Sequence, residues 1–343
     1  HALHVIDGIN AIFLKKSKVV YLGLGVVALG IAGFYVWLTG EVKPLDKPEK
    51  YIRITSSKRF SDLTPMLQEQ GLIRNASAAS LYLKLYKKDA KIEKGTYKIN
   101  PKLQLDAIIR SMRSPMRNMF RIPETNLSFR TANLLEKSEI ATAKEYNDLI
   151  QTPSEFASEV SFALPKDSLE GYLYPDTYDL PPLIGAKAVI SRQLKNFEKK
   201  VLPLVPDDAN RKKILTIASM VELEAAVPED RSLIAGVIYN RLNKGMLLQI
   251  DATVLYALKE WRTLYNKDYR STDSPYNTYI HKGLPPGPIC SPTVASVKAA
   301  LNPAKHNYFY YVAQPNKKHL FATTYGEHLK NIIKVRKMKE SSP

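Results

Sequence analysis

A chain of 343 residues can bury a sizeable core and is long enough for more than one domain, and its net charge of +17 suits an anionic partner: nucleic acid, a membrane surface or an acidic polymer. Its Lys and Arg residues are spread thinly, with no zinc-ligand spacing, basic heptad region or glycine-rich phosphate loop, so no nucleic-acid partner is expected. Cys290 is the only cysteine, which excludes an intrachain disulfide and a thiolate metal site; it lies in a proline-rich loop with no evident base beside it.

Residues 1–18 end in Lys15, Lys16 and Lys18 and read as a cytoplasmic tail. Val19–Leu38 is free of charge and long enough to span a bilayer, with Tyr35 and Trp37 near the far interface. A cleaved signal peptide has a shorter apolar region and a small-residue cleavage site, which the following TGEVKPL does not supply. The alternative is a buried core helix. The span is assigned to residues 19–39, and the lysines before it place the N-terminus in the cytoplasm and the rest of the chain outside.

Residues 40–50 are polar, contain two prolines and read as a linker. Residues 51–114 form a compact β-α-α-β pattern: a strand YIRI, helices SDLTPMLQEQG and NASAASLYLKLYKK, a strand GTYKI and a further helix LDAIIRSMR. Ser57 or Ser61 is expected to cap the first helix and Gly71 to end it. The module has no cluster of His, Asp or Ser and reads as a binding or spacer unit. Residues 115–343 then begin with a strand FRIPE and two helical stretches. In SLEGYLYPDTYDLPP the even spacing of Tyr172, Tyr174 and Tyr178 places them on one face of a strand, either half-buried or as an aromatic wall for a sugar ring.

The central stretch, Lys212–Tyr256, reads as two helices and a strand-like segment. The first helix is expected over Lys212–Val227, stopped by Pro228. Ile214, Ile217, Ala218, Val221 and Ala225 share one face, and Leu215, Met220 and Leu223 widen it. Only Thr216, Ser219, Glu222 and Glu224 interrupt this surface, and two carboxylates on a core helix need explaining. They lie about 200° apart around it, so both cannot face one cleft. A carboxyl desolvated by apolar neighbours holds its proton, as a general acid near neutral pH requires. Periodicity does not choose between the two, and a structural reading has one of them capping the next helix or pairing with Arg231 or Arg241. The second helix spans about Asp230–Lys244, with Asn240 and Arg241 near its end and Gly245 as C-cap. The segment MLLQIDATVLY carries Gln249 and Asp251, the latter a candidate second carboxylate. Ser274–Pro292 is a loop stiffened by five prolines, suited to a preformed rim. The chain finishes with a helix over Thr293–Leu301, a tyrosine-rich strand NYFYYVA, a hairpin to HLFAT and a basic helix.

The motifs ASMVELEA, IYNRL with GM.LQ.D.TV.Y, PYNTY with GLPPGPI.SP, and LEGYLYPDTY together resemble the endolytic murein transglycosylases of the MltG/YceG type. The resemblance covers roughly Tyr51 to the end. It implies an α+β fold: an N-terminal transmembrane helix, a small LysM-like module, and a mixed catalytic domain with a lysozyme-like active-site helix. It also implies a membrane-anchored enzyme that cuts nascent glycan strands internally and leaves anhydro-muramic ends. By the same resemblance Glu224 is catalytic and Glu222 supporting, with Asn240, Arg241, Gln249, Asp251, Tyr276, Asn277, Tyr279 and the loop Gly283, Leu284, Pro285, Pro286 and Gly287 around the glycan. Partners are peptidoglycan strands, the lipid bilayer through Val19–Leu38, and cell-wall synthases; no metal or cofactor is implied. The sequence departs from the family pattern at Ala225 (usually Thr), Ile250 (Thr) and Ala252 (Pro). A hydrolase using Asp251 as second acid and a non-catalytic wall-binding scaffold are the competing readings.

Overall fold

The computed structural model describes residues 2–340, which divide between Met116 and Arg117 into two compact units. The first opens with α1 (Ala2–Glu41). Among the described residues this is the one helix long and apolar enough to cross a membrane, over Val20–Glu41 with mean hydropathy 1.9. Val20, Leu22, Leu29 and Ile31 stand exposed on it, as a lipid-facing surface would. The helix runs on through Gly40 and Glu41, which the sequence reading placed in the linker. The rest of that linker is pinned: Arg74 donates to the carbonyls of Lys43 and Pro44, and the Leu45 N–H donates to Pro101.

β1 (Lys50–Ile54), β2 (Lys58–Arg59), α2 (Phe60–Glu69), α3 (Ala76–Leu85), β3 (Lys91–Ile92), β4 (Gly95–Ile99) and α4 (Leu105–Ser111) complete this unit. β1 and β4 pair antiparallel, Lys50 opposite Ile99 and Ile54 opposite Gly95, while the short β2–β3 pair was not anticipated. Ile52, Ile54, Phe60, Leu67, Leu83, Tyr97 and Met112 fill the core. The expected serine caps are replaced at α2: Asp62 accepts the Arg59 N–H, and Ser61 is bound to Asp89. Gly71, left-handed at φ +70°, ends the helix as expected, with the Leu72 N–H returning to Leu67.

In the second unit β5 (Met119–Arg121) is followed by α5 (Ser128–Lys137), α6 (Ala143–Ile150), β6 (Thr177–Asp179), α7 (Ala186–Lys200), α8 (Asp208–Glu224), α9 (Asp230–Asn243), α10 (Asp251–Leu258), α11 (Asn266–Ser271), α12 (Val294–Leu301), β7 (Tyr310–Ala313), β8 (His319–Ala322) and α13 (Tyr325–Glu340). α8 is the centre: Leu215, Ile217, Ala218, Met220 and Val221 have no exposed surface, and the helix packs against α9, α10 and α12. The Asp207 side chain accepts the Ala209 N–H and starts it.

Three expectations need correction. α8 ends at Glu224 because Ala225 turns extended (φ −83°, ψ 100°), three residues before Pro228. The strand-like MLLQIDATVLY is helical from Asp251. A left-handed Gln249 (φ +51°) breaks the extended run, and Asp251 complements the positive helix start. Tyr172, Tyr174 and Tyr178 do not share a strand; only Thr177–Asp179 is one. All three rings are buried, Tyr172 against Phe162 and Phe197, so they serve the core and are no wall for a sugar.

Candidate active site

The last turn of α8 directs its two glutamates to different neighbours. Glu222, 1 % exposed, is consumed by structure: its Oε2 accepts the Thr293 N–H at 3.0 Å and the Thr293 hydroxyl at 2.7 Å. One turn earlier, the Ser219 hydroxyl accepts the Ile289 N–H at 3.0 Å and the Ser219 carbonyl accepts the Cys290 thiol at 3.4 Å. The polar residues of this face therefore stitch the proline-rich loop to α8, and the Cys290 thiol, buried there, is pushed up well above its ordinary pKa. Glu222→Ala is expected to lower the unfolding free energy by about 2–3 kcal/mol, because two donors of Thr293 lose their acceptor. Urea denaturation measures this; a loss below about 0.5 kcal/mol would deny Glu222 the structural role.

Glu224, half-buried, presents its Oε2 to the Tyr311 hydroxyl, which donates at 3.1 Å. Loss of solvation pushes its pKa up to about 7, and the nearby Asp251 carboxylate adds to this. The Tyr311 hydrogen bond and the Arg241 guanidinium oppose it. Its position at the C-terminal end of α8, where the helix dipole is negative, acts in the same direction as desolvation. Glu224 is thereby able to exchange a proton near neutrality.

Asp251 is exposed at the start of α10 and accepts hydrogen bonds from Tyr279 and, at 3.3 Å, from Tyr269; those two rings pack 4.4 Å apart. Gln249 is also exposed, its left-handed backbone held by its N–H on Thr278. Tyr276 is half-buried with its ring 4.8 Å from Tyr256. Gly283 is left-handed, Leu284 half-buried, Pro285 buried and Pro286 exposed. Gly287 is buried with Lys212 and Tyr276 close by. Gly171 (φ +92°) lies so close to Pro288 that a Cβ would meet its ring at 2.5 Å, which joins the LEGYLYP turn to this loop.

Three residues expected around the glycan donate side-chain hydrogen bonds to backbone carbonyls. Asn277 is fully buried and its amide donates to the Tyr269 and Thr272 carbonyls. The Asn240 amide donates to the carbonyls of His306 (2.9 Å) and Tyr308 (3.0 Å). Arg241, buried, donates to the carbonyls of Phe309, Leu247 and Leu248. Neither glutamate pairs with Arg231 or Arg241 in the way the structural reading allowed. The sequence reading assigned no role to Tyr311, to the Asp230–His319 pair, or to Glu170, a buried carboxyl whose pKa is raised by desolvation beside Ser128, Lys259 and Tyr256. Only Glu170 lay within a quoted motif. Among the described residues no group of three His, Cys, Asp or Glu side chains is placed to hold a metal ion.

A helix-end carboxyl with its pKa raised by burial, near a second carboxylate and tyrosines on an α+β scaffold, is an arrangement able to exchange a proton near neutral pH. The chain belongs to the YceG-like family, whose model matches residues 52–334. It is 34% identical over 324 residues to the endolytic murein transglycosylase of Bacillus subtilis (strain 168), covering 88% of this chain and 89% of that protein. It is 28% identical over 356 residues to the endolytic murein transglycosylase of Streptococcus pneumoniae serotype 2, covering 92% of this chain and 64% of that longer protein. A crystal structure of a yceG-like protein from Listeria monocytogenes superposes with a TM-score of 0.56 at 32% identity, over 82% of this chain and 98% of that one.

Proposed function

We propose that the chain is a membrane-anchored endolytic lytic transglycosylase acting on peptidoglycan glycan strands. The observation that carries this reading is Glu224, a carboxyl at the end of the core helix α8 that accepts the Tyr311 hydroxyl and has its pKa raised by burial. Its proton goes to the glycosidic oxygen between N-acetylmuramic acid and N-acetylglucosamine as the C1–O bond breaks and an oxocarbenium-like centre develops. The carboxylate then takes the proton of the same muramic acid's C6 hydroxyl, whose oxygen bonds to C1 and closes the anhydro ring. Glu224 ends protonated, and no water enters. A pKa near the working pH suits a group that must give and then accept one proton.

Gln249, Asp251, Tyr276, Tyr279, Gly283, Leu284 and Pro286 form the glycan-facing set, since each is exposed or half-buried, with the buried Pro285 and Gly287 bracing the rim. Asn240 and Arg241 hold the backbone of His306–Phe309 and Leu247–Leu248, and Asn277 ties its own loop to Tyr269 and Thr272. The first unit serves as a LysM-like module, a reading supported by two helices enclosed between the paired β1 and β4. α8 serves as a lysozyme-like active-site helix. α1 anchors the chain in the cytoplasmic membrane with its N-terminus inside, the side chosen by Lys15, Lys16 and Lys18, which brings cell-wall synthases within reach as partners.

A hydrolase on the same scaffold is the second reading, favoured by Asp251 lying close enough to influence Glu224. Mass spectrometry of uncrosslinked glycan strands treated with the full chain in detergent separates the two. Internal cuts with anhydro ends support the lyase; reducing ends that also disappear in Asp251→Asn would move the assignment to hydrolysis.

A further inference from the structure

The polar residues of α9 converge on one short segment. Besides Asn240 and Arg241, which hold the carbonyls of His306, Tyr308 and Phe309, Asp230 at the start of α9 accepts both the His319 N–H and its Nδ1 at 2.8 Å. In the middle of the helix, Gly236 lets the Ala304 carbonyl and the His306 ring approach to where a Cβ would lie 2.5 Å away. These contacts seat β7 and β8, a two-stranded hairpin that would be marginal on its own. Strand alternation sends Tyr310 toward Tyr325 and His328 and brings Tyr311 edge-on to His319, its hydroxyl on Glu224.

We propose that Tyr311 is a positioning residue for Glu224, and that the seating of the β7–β8 hairpin on α9 exists to hold its hydroxyl there. This rests on Glu224 being the general acid. With Oε2 occupied by the tyrosine, Oε1 is the oxygen that exchanges the proton with the sugar. The same hydrogen bond steadies the carboxylate left after the first transfer, the form that must then deprotonate the C6 hydroxyl. Glu224 is faced by Asp251 from α10, Arg241 from α9, Tyr279 from the proline-rich loop and Tyr311 from β7. Of these, Tyr311 alone is shown donating a hydrogen bond to it.

The test uses the full chain in detergent. Infrared titration of the protonated carboxyl band, assigned by its absence in Glu224→Gln, follows Glu224 without turnover. Tyr311→Phe keeps the ring and removes the hydroxyl, so the Glu224 midpoint is expected to rise by about one unit, as loss of a hydrogen bond to a charged group implies. At pH 7 the variant should lose about tenfold in kcat with KM little changed. His319→Ala, which loosens the hairpin, should move the midpoint the same way. A midpoint unmoved by both substitutions overturns the proposal, whether or not the wild type cuts glycan. A midpoint that moves as expected in a wild-type chain without cleavage upholds the Tyr311–Glu224 coupling and overturns the general-acid assignment instead.

Discussion

Glu224→Gln is expected to reduce glycan cleavage by at least about 10³-fold, since in the proposed mechanism one group performs both proton transfers and each is worth on the order of 10²–10⁴. The same substitution should stabilise the fold, but only where Glu224 is ionised. Its folded pKa of about 7 lies above the ordinary 4.5, so the native state binds more protons than the unfolded chain between those values. Stability is therefore undiminished below about pH 4.5, falls as pH rises through the window, and bears the full cost above 7. For a half-buried group partly screened by solvent the cost is about 1–2 kcal/mol. Calorimetry should find the Gln variant melting a few degrees higher at pH 8 and level with the wild type at pH 4. An equal gain at both pH values would show that Glu224 is not the carboxyl with the raised pKa described above.

The second large effect belongs to Arg241. The residue is 8 % exposed, and its guanidinium donates to three backbone carbonyls and lies 5.3 Å from the Tyr310 ring. Arg241→Ala leaves those carbonyls without donors and frees the segment before β7, an expected loss of about 3–5 kcal/mol together with most of the cleavage. Arg241→Lys should recover little, because a single ammonium cannot reproduce the planar fork that spans Phe309, Leu247 and Leu248. Chemical denaturation beside steady-state kinetics distinguishes scaffold from substrate contact. A fold within about 1 kcal/mol of the wild type combined with a raised KM would return Arg241 to the glycan.

Much of this was legible from local pattern. The apolar surround of α8 marks a core helix, and the angle between Glu222 and Glu224 requires that they meet different neighbours. Glycine and proline punctuation found the ends of α2 and α9 closely. What escaped was non-local. Glu222 meets Thr293, 71 residues away, and Glu224 meets Tyr311, 87 residues away, separations over which periodicity carries no information. MLLQIDATVLY was misread because its β-branched and aromatic residues favour a strand locally, while the left-handed Gln249 and its N–H on Thr278 are set by the distant proline-rich loop. Asn240, Arg241 and Asn277 were placed around the glycan by family resemblance; their bonds to backbone carbonyls, up to 68 residues away, were beyond the reach of local pattern.

The thiol wedged between α8 and the proline-rich loop has a consequence for how the molecule reports on itself. Thiolate, not thiol, reacts with oxidants and alkylating agents, and Cys290 has no exposed surface and a pKa raised by burial. In an oxidising compartment the chain therefore neither crosslinks to a neighbour nor ages through its cysteine while it stays folded. Alkylation becomes a clock for opening of this one seam, with a rate set by the free energy of parting the loop from the helix. Iodoacetamide labelling at pH 8 should be slow in the wild type and markedly faster in Glu222→Ala, which releases Thr293 from the same seam. Equal rates would mean that the thiol is reached by another route. The rim of the active site thus carries a natural probe of its own rigidity, readable with no glycan present.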